Sequence, residues 1–224
     1  MHRPLTERDL FPLGPLERLG RRVEVFSETD STNAYLLAHA ARLEDGAVAV
    51  ADFQTAGRGR HGRRWHAPRG SSILLSVLLL EPEGSPLISH ATMLAAVAAC
   101  EALETETNCH PALRWPNDVV VAGRKLGGVL AESTPLPPSP DRTKVCRGQA
   151  ADRARRALVI GIGLNCFQQP GHFGSELGKT ATSLEIECTQ PIDRPPLARR
   201  LLERLDTLLS LTHRDHPESQ TSDA

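Results

Sequence analysis

Aromatic residues supply only 4% of the 224-residue chain, as two tryptophans, one tyrosine and five phenylalanines, which leaves little material for the stacking platforms of single-stranded nucleic-acid binders. An excess of charge of either sign is lacking too: 26 basic residues face 27 acidic ones for a formal charge of −1. No global field therefore draws the chain to nucleic acid, and any anion-binding site must be local. Cysteine is sparse and irregular. The five residues Cys100, Cys109, Cys146, Cys166 and Cys188 are odd in number and nowhere spaced C-x-x-C, which argues against a disulfide framework and a zinc site and fits a reducing cytoplasm. The longest apolar runs, near Ile73 to Leu80 and Ala157 to Leu164, fall far short of the roughly 20 residues of a membrane span, and Arg3, Glu7, Arg8 and Asp9 precede any apolar run. A soluble, cytoplasmic protein with no membrane partner is expected. What is present, 40% hydrophobic and 24% charged residues with 17 Gly and 17 Pro, fits a globular core and excludes collagen, coiled coil and wholesale disorder.

Residues 1–21 are broken by Pro4, Pro12, Gly14, Pro15 and Gly20 and read as a lead-in with at most short helical pieces. A strand over 22–27 then gives way to Ser31 and Thr32, candidate N-caps for a helix through Ala34, Leu36, Leu37 and Leu43. Strands are expected over 47–53 and 72–80, and an Ala-rich buried helix over 88–103. Short β-leaning runs follow at 113–115, 119–121, 126–131 and 158–164, with Ala122-Gly123 as a hairpin turn. A Pro-rich insertion is expected over 135–156, a final helix over 197–211, and a polar tail over 213–224. The sum is an α+β domain spanning 22–212, a mixed β-sheet with helices packed on one face.

Between Asp52 and Glu81 there is no acidic residue, yet Arg58, Arg60, Arg63, Arg64 and Arg69 all fall there, interleaved with Gly57, Gly59 and Gly62 and followed by Trp65. Glycine allows close backbone approach and arginine offers forked donors to phosphate or carboxylate, so the segment is either a phosphate-facing loop or a solvated one. The three glycines match G-x-G-x-x-G, but that fingerprint needs a helix to start at the glycines, and a strand follows instead. A second feature is Arg114-Trp115-Pro116-Asn117-Asp118 with Arg124-Lys125-Leu126-Gly127-Gly128. In a chain with 23 Arg and only three Lys (Lys125, Lys144, Lys179), Lys125 stands out as a compact ammonium chosen over a guanidinium; a strand entering a hairpin is the plain alternative. Third, Gly161 and Gly163 alternate within an apolar strand that ends at Asn165, which signals close approach of a ligand or of a packed helix. Ser31, Thr32 and Asn33 are explained by capping alone.

In this order the motifs resemble the catalytic domain of biotin protein ligases, from about Arg22 to Leu211. The resemblance implies a class II aminoacyl-tRNA synthetase-like fold and two-step chemistry: biotin and ATP, with Mg²⁺, give biotinoyl-5'-adenylate, and a lysine of a biotin carboxyl carrier domain such as that of acetyl-CoA carboxylase then takes the biotin. By similarity Ser31, Thr32, Asn33 and Gln54 border biotin. Gly57, Arg58, Gly59 and Arg60 close over the ligand, with Arg60 and Arg63 near phosphates and Trp65 against adenine. Lys125 bridges the biotin carboxylate and the α-phosphate and is, with Arg60, the catalytic candidate; Gly128, Gly161 and Gly163 admit the ligand. Asn165 faces the nucleotide, and Asp118 orients Mg²⁺ or Lys125. Arg114 stands where the family usually has lysine. Only 30 residues precede Ser31 and 59 follow Asn165, so neither a winged helix nor a complete C-terminal barrel is expected, and with them no DNA binding; a homodimer is allowed. The alternatives are a lipoate or octanoate transferase of the same superfamily and a basic-loop nucleic-acid-binding module.

Overall fold

A computed structural model describes residues 3–10, 16–137 and 154–214. Its centre is one seven-stranded sheet. The strands are β1 (Val23–Phe26), β2 (Val48–Ala51), β3 (Ser72–Pro82), β4 (Ala112–Arg114), β5 (Asp118–Val121), β6 (Arg124–Pro135) and β7 (Arg155–Asn165), ordered β1-β2-β3-β7-β6-β5-β4. Only β1 and β2 run parallel; every other neighbour is antiparallel.

The two faces of the sheet have different fates. Alternate residues Ile73, Leu75, Val77 and Leu79 of β3 and Leu158, Ile160, Ile162 and Leu164 of β7 enter a large core. Against that face pack α3 (Leu87–Glu106), through Ala91, Ala95, Ala98 and Ala102, and, after the short α4 (Gly174–Leu177) and α5 (Leu184–Glu187), α6 (Arg194–Arg214), through Leu197, Leu201, Leu205 and Leu209. The alanine stripe repeats at helical spacing and lets the two helices approach closely. Opposite, Leu78, Ala157 and Val159 join Leu36 of α2 (Thr32–His39) and Ala40 at its C-terminal cap in a smaller cluster. A short helix thus covers part of the second face, where the single-face expectation placed none, and among the described residues leaves the rest of it bare of helix.

Several expectations change. The lead-in contains α1 (Glu7–Leu10) and buries Leu5, Leu10 and Leu19; Asp206 accepts from the backbone N–H of Glu17, Arg18 and Leu19 at 2.7–2.9 Å. Proline and glycine hid this by breaking periodicity, but single leucines still bury. The insertion is shorter than 135–156, because Pro135 pairs with Arg156 at the end of the β6–β7 ladder; residues 138–153 and the tail beyond Arg214 lie outside the described residues. By length and composition α3 could cross a membrane, contrary to the reading of short apolar runs, yet its alanine face is packed in the core. Cys109 and Cys188, 79 residues apart, are joined in a disulfide with Cα atoms 5.7 Å apart. Spacing along the chain could not reveal that contact, and the cysteine argument for a reducing compartment falls with it.

Candidate active site

On the face that α2 leaves bare, register does the first work. Ser76 and Leu130 flank Gly161, and Leu74 and Gly128 flank Gly163, so the middle of the sheet offers small residues where bulk would otherwise stand. The resulting cleft opens to solvent, and the roughly 490 Å³ of empty space in it includes that open solvent. The two strand glycines are enforced by neighbours. A Cβ on Gly161 would lie 2.1 Å from Asn33 Oδ1, and one on Gly163 would lie 2.8 Å from the Trp65 ring. Gly128 does something different: a Cβ there would meet the end of the Lys125 side chain at 3.2 Å.

One wall comes from the start of α2. Ser31 caps it, accepting from the Ala34 N–H, and the helix delivers Thr32 and Asn33 into the interior, each 4% exposed. The Thr32 N–H donates to Gln54 Oε1 (2.8 Å), Thr32 Oγ1 lies 2.7 Å from Ser76 Oγ, and Ser76 donates to Asn33 Oδ1 (2.6 Å). Capping is therefore only part of what these residues do.

The opposite wall is the Gly-Arg loop, folded as a small hairpin. The Gly59 N–H donates to Arg63 O and the Trp65 N–H to Gly57 O, around a one-turn 3-10 helix (Arg60–Gly62) in which His61 and Gly62 take left-handed φ values of 57° and 72°. No α-helix opens at the glycines, which agrees with rejecting the dinucleotide fingerprint. Gly57 is required by the fold of the loop itself, since a Cβ there would lie 2.4 Å from the Trp65 carbonyl. Arg58 pairs with Glu132 (3.0 Å), and Arg60 donates to Asn117 Oδ1 (2.9 Å), tying the loop to β6 and to the tip after Pro116. The Trp65 indole N–H is buried with no partner among the described residues.

Lys125 stands at the third side. Its Nζ lies 2.6 Å from Asp118 Oδ1 and 5.9 Å from the centre of the Trp65 ring, while Arg114 holds Asp118 Oδ2 at 2.8 Å. Burial alone would push the Asp118 carboxyl up, but the hydrogen bonds and charges of Lys125 and Arg114 outweigh it and hold the group below the ordinary aspartate range. The Lys125 backbone is pinned as well, donating to Thr180 O and accepting from the Thr182 N–H.

The cleft thus gathers Ser31, Thr32, Asn33, Gln54, Arg58, Gly59, Arg60, Trp65, Lys125, Gly128, Gly161 and Gly163. Gly57, Arg63, Asp118 and Asn165 do not line it. Arg63 is exposed on the loop, and Asn165 is buried, donating to Thr182 O (3.0 Å) and accepting from Gln168 (2.8 Å). Asp118 has both oxygens on cations, and no group of three or more His, Cys, Asp or Glu capable of holding a metal occurs among the described residues. That donor set fits orientation of Lys125 and does not fit a protein-held Mg²⁺. Sequence reasoning missed Ser76, Asn117 and Glu132. Ser76 carried a signal, as a lone hydroxyl inside an apolar strand.

Comparison with known proteins says which family this fold and cleft belong to. Residues 25–145 match the model of the biotin/lipoate A/B protein ligase family, and the chain belongs to that family. It is 35% identical over 179 residues to the bifunctional ligase/repressor BirA of Bacillus subtilis, covering 80% of this chain and 50% of that protein. It is also 35% identical to the biotin--[acetyl-CoA-carboxylase] ligase of Mycobacterium tuberculosis, covering 88% of this chain and 68% of the relative. Among solved structures, the Aquifex aeolicus biotin protein ligase in complex with biotin and ATP superposes with a TM-score of 0.65 at 28% identity, over 85% of this chain and 71% of that one. The chain spans about half the length of the Bacillus relative.

Proposed function

We propose that this chain activates biotin with ATP and transfers it to a lysine of a biotin carboxyl carrier domain such as that of acetyl-CoA carboxylase. The observation that carries the reading is the meeting of Lys125, the Arg58–Arg60 loop and a polar wall over one glycine-floored cleft, in a chain of this family. A biotin carboxylate oxygen attacks the α-phosphorus of ATP, the bond to the β-phosphate oxygen breaks, and pyrophosphate leaves. Both reactants are anions, so most of the catalysis must come from cations fixed before they meet. Lys125, oriented by Asp118, supplies one at the junction of carboxylate and phosphate; Arg60, oriented by Asn117, supplies a second beside the loop. Mg²⁺ enters as part of the ATP substrate. In the second step the carrier amine attacks the acyl carbon, AMP departs with the bridging oxygen, and the amine loses a proton. The polar wall of Thr32, Ser76 and Asn33 suits the ureido ring of biotin better than the dithiolane of lipoate, which offers no N–H.

The test is pyrophosphate release from the purified chain with ATP, Mg²⁺ and biotin or lipoate, with and without a carrier domain, while biotin transfer is read in parallel. Biotin-dependent release with transfer is expected. Release driven by lipoate alone favours the lipoate reading, and release that ignores both ligands overturns the proposal.

A further inference from the structure

Glu132 lies near the end of β6, opposite Val159 in the β6–β7 ladder, and its side chain is 20% exposed. Its two oxygens are divided between the two walls of the cleft. Oε1 pairs with Arg58 Nη2 of the loop at 3.0 Å, and Oε2 accepts from Asn33 Nδ2 at 2.9 Å. Asn33 also donates to Leu130 O (3.2 Å), so both amide contacts fix the same orientation of its carboxamide and turn Oδ1 toward Ser76.

That orientation propagates. Ser76 has a single hydroxyl proton, and it is given to Asn33 Oδ1 at 2.6 Å. The 2.7 Å contact between Ser76 and Thr32 must then be donated by Thr32, whose Oγ1 lies farther, at 3.2 Å, from the other acceptor within its reach, Gln54 Oε1. Every donor in the row therefore points one way, from Thr32 through Ser76 and Asn33, and the row ends on an anion. Such chains strengthen bond by bond when they run in one sense, and a carboxylate is the strongest terminus available. With its proton spent, Thr32 Oγ1 can meet a ligand only as an acceptor. The wall is set to receive N–H donors.

We propose that Glu132 is a positioning residue that sets the hydrogen-bond sense of the Thr32–Ser76–Asn33 wall and ties the Arg58 loop to it, so that recognition of the ligand's N–H groups and placement of the loop depend on one carboxylate. The inference rests on the reading of this cleft as a biotin and ATP site. Glutamine at 132 has one acceptor oxygen for two donors, so one of them, Arg58 or Asn33, must face an amide N–H instead. Aspartate keeps both charge and acceptors.

The experiment is steady-state pyrophosphate release by the wild type, Glu132→Gln and Glu132→Asp, with biotin and ATP varied separately and thermal melting followed alongside. E132Q is expected to raise the KM for biotin about tenfold, leave the KM for ATP within twofold and melt within a few degrees of wild type, with E132D recovering most of the loss. An unchanged KM for biotin in E132Q overturns the proposal, as does an equal rise for both substrates. Should E132Q not fold, Arg58→Met carries the test: a selective rise in the biotin KM supports the coupling, and unchanged KM values for both substrates reject it. A wild type without biotin-dependent release brings down the underlying reading instead, and this inference with it.

Discussion

Gly161→Ala is the substitution whose outcome the geometry specifies most closely. The new Cβ would lie 2.1 Å from Asn33 Oδ1, against 3.4 Å for ordinary contact, so the carboxamide must withdraw by about 1.3 Å. Backbone strain plays no part, because Gly161 does not have a left-handed φ. Asn33 is held by Ser76 at 2.6 Å, Glu132 at 2.9 Å and Leu130 O at 3.2 Å, and a shift of that size takes its Oδ1 out of reach of Ser76. Losing one neutral hydrogen bond and weakening one to a carboxylate in a buried wall costs about 2–4 kcal/mol, shared between stability and ligand binding. Because part of that energy falls on stability, biotin affinity measured by titration calorimetry is expected to fall by at most roughly 30- to 800-fold, the factors to which about 2–4 kcal/mol converts. Gly128→Ala is the contrast, since its Cβ meets only the flexible end of Lys125 at 3.2 Å. It should bind biotin within threefold of wild type while slowing adenylate formation. Biotin binding by G161A within threefold of wild type, with an unchanged melting temperature, would refute the placement of Asn33 in the wall.

The strands and the helices of the core were legible because their periodicities are strong: the runs near 72–80 and 158–164 became β3 and β7, and the Ala-rich run became α3. The alternating glycines correctly announced a close approach, but what approaches, the Asn33 amide and the Trp65 ring, comes from segments distant in sequence that only the fold unites. Glu132 escaped notice because the strand expected to end at Ala131 runs on to Pro135, which keeps the carboxylate on the cleft face of the sheet. Asn165, off the cleft lining, shows another limit of a motif. A motif fixes which residue occurs but not which neighbour claims its polar atoms, and here Thr182 and Gln168 claim them. Cysteine pairing failed for the same reason, since Cys109, beyond the end of α3, and Cys188, at the end of α5 (Leu184–Glu187), are 79 residues apart and neighbours only in the fold.

Other expectations follow from the same contacts. Lys125→Ala should fold, since the side chain is one-third exposed, yet lose most pyrophosphate release; near wild-type turnover would remove Lys125 from the chemistry. Arg194 is 2% exposed, donates to Ser72 O (2.9 Å) and Arg3 O (2.7 Å), and faces Asp52. Arg194→Met leaves that carboxylate buried without its partner and should cost about 3–5 kcal/mol in urea unfolding, so a loss under 1 kcal/mol would contradict the buried pair. Reduction of Cys109–Cys188 should lower stability by about 2–4 kcal/mol through the freed loop, read as a drop in melting temperature with dithiothreitol that is absent in Cys109→Ser. The pH response of Asp118 has a definite sign. Its folded pKa lies below the unfolded value of about 3.9, so its ionised pairing with Lys125 and Arg114 stabilises the fold fully above that value and is lost only as pH falls through the lower folded one. Asp118→Asn should therefore be less stable than wild type by a constant margin from pH 7 down to about pH 5, with the gap closing below about pH 4. A gap that closes already between pH 7 and pH 5 would mean that the carboxyl titrates high, that burial outweighs the two cations, and that Asp118 does not hold Lys125 as an ion pair near neutral pH.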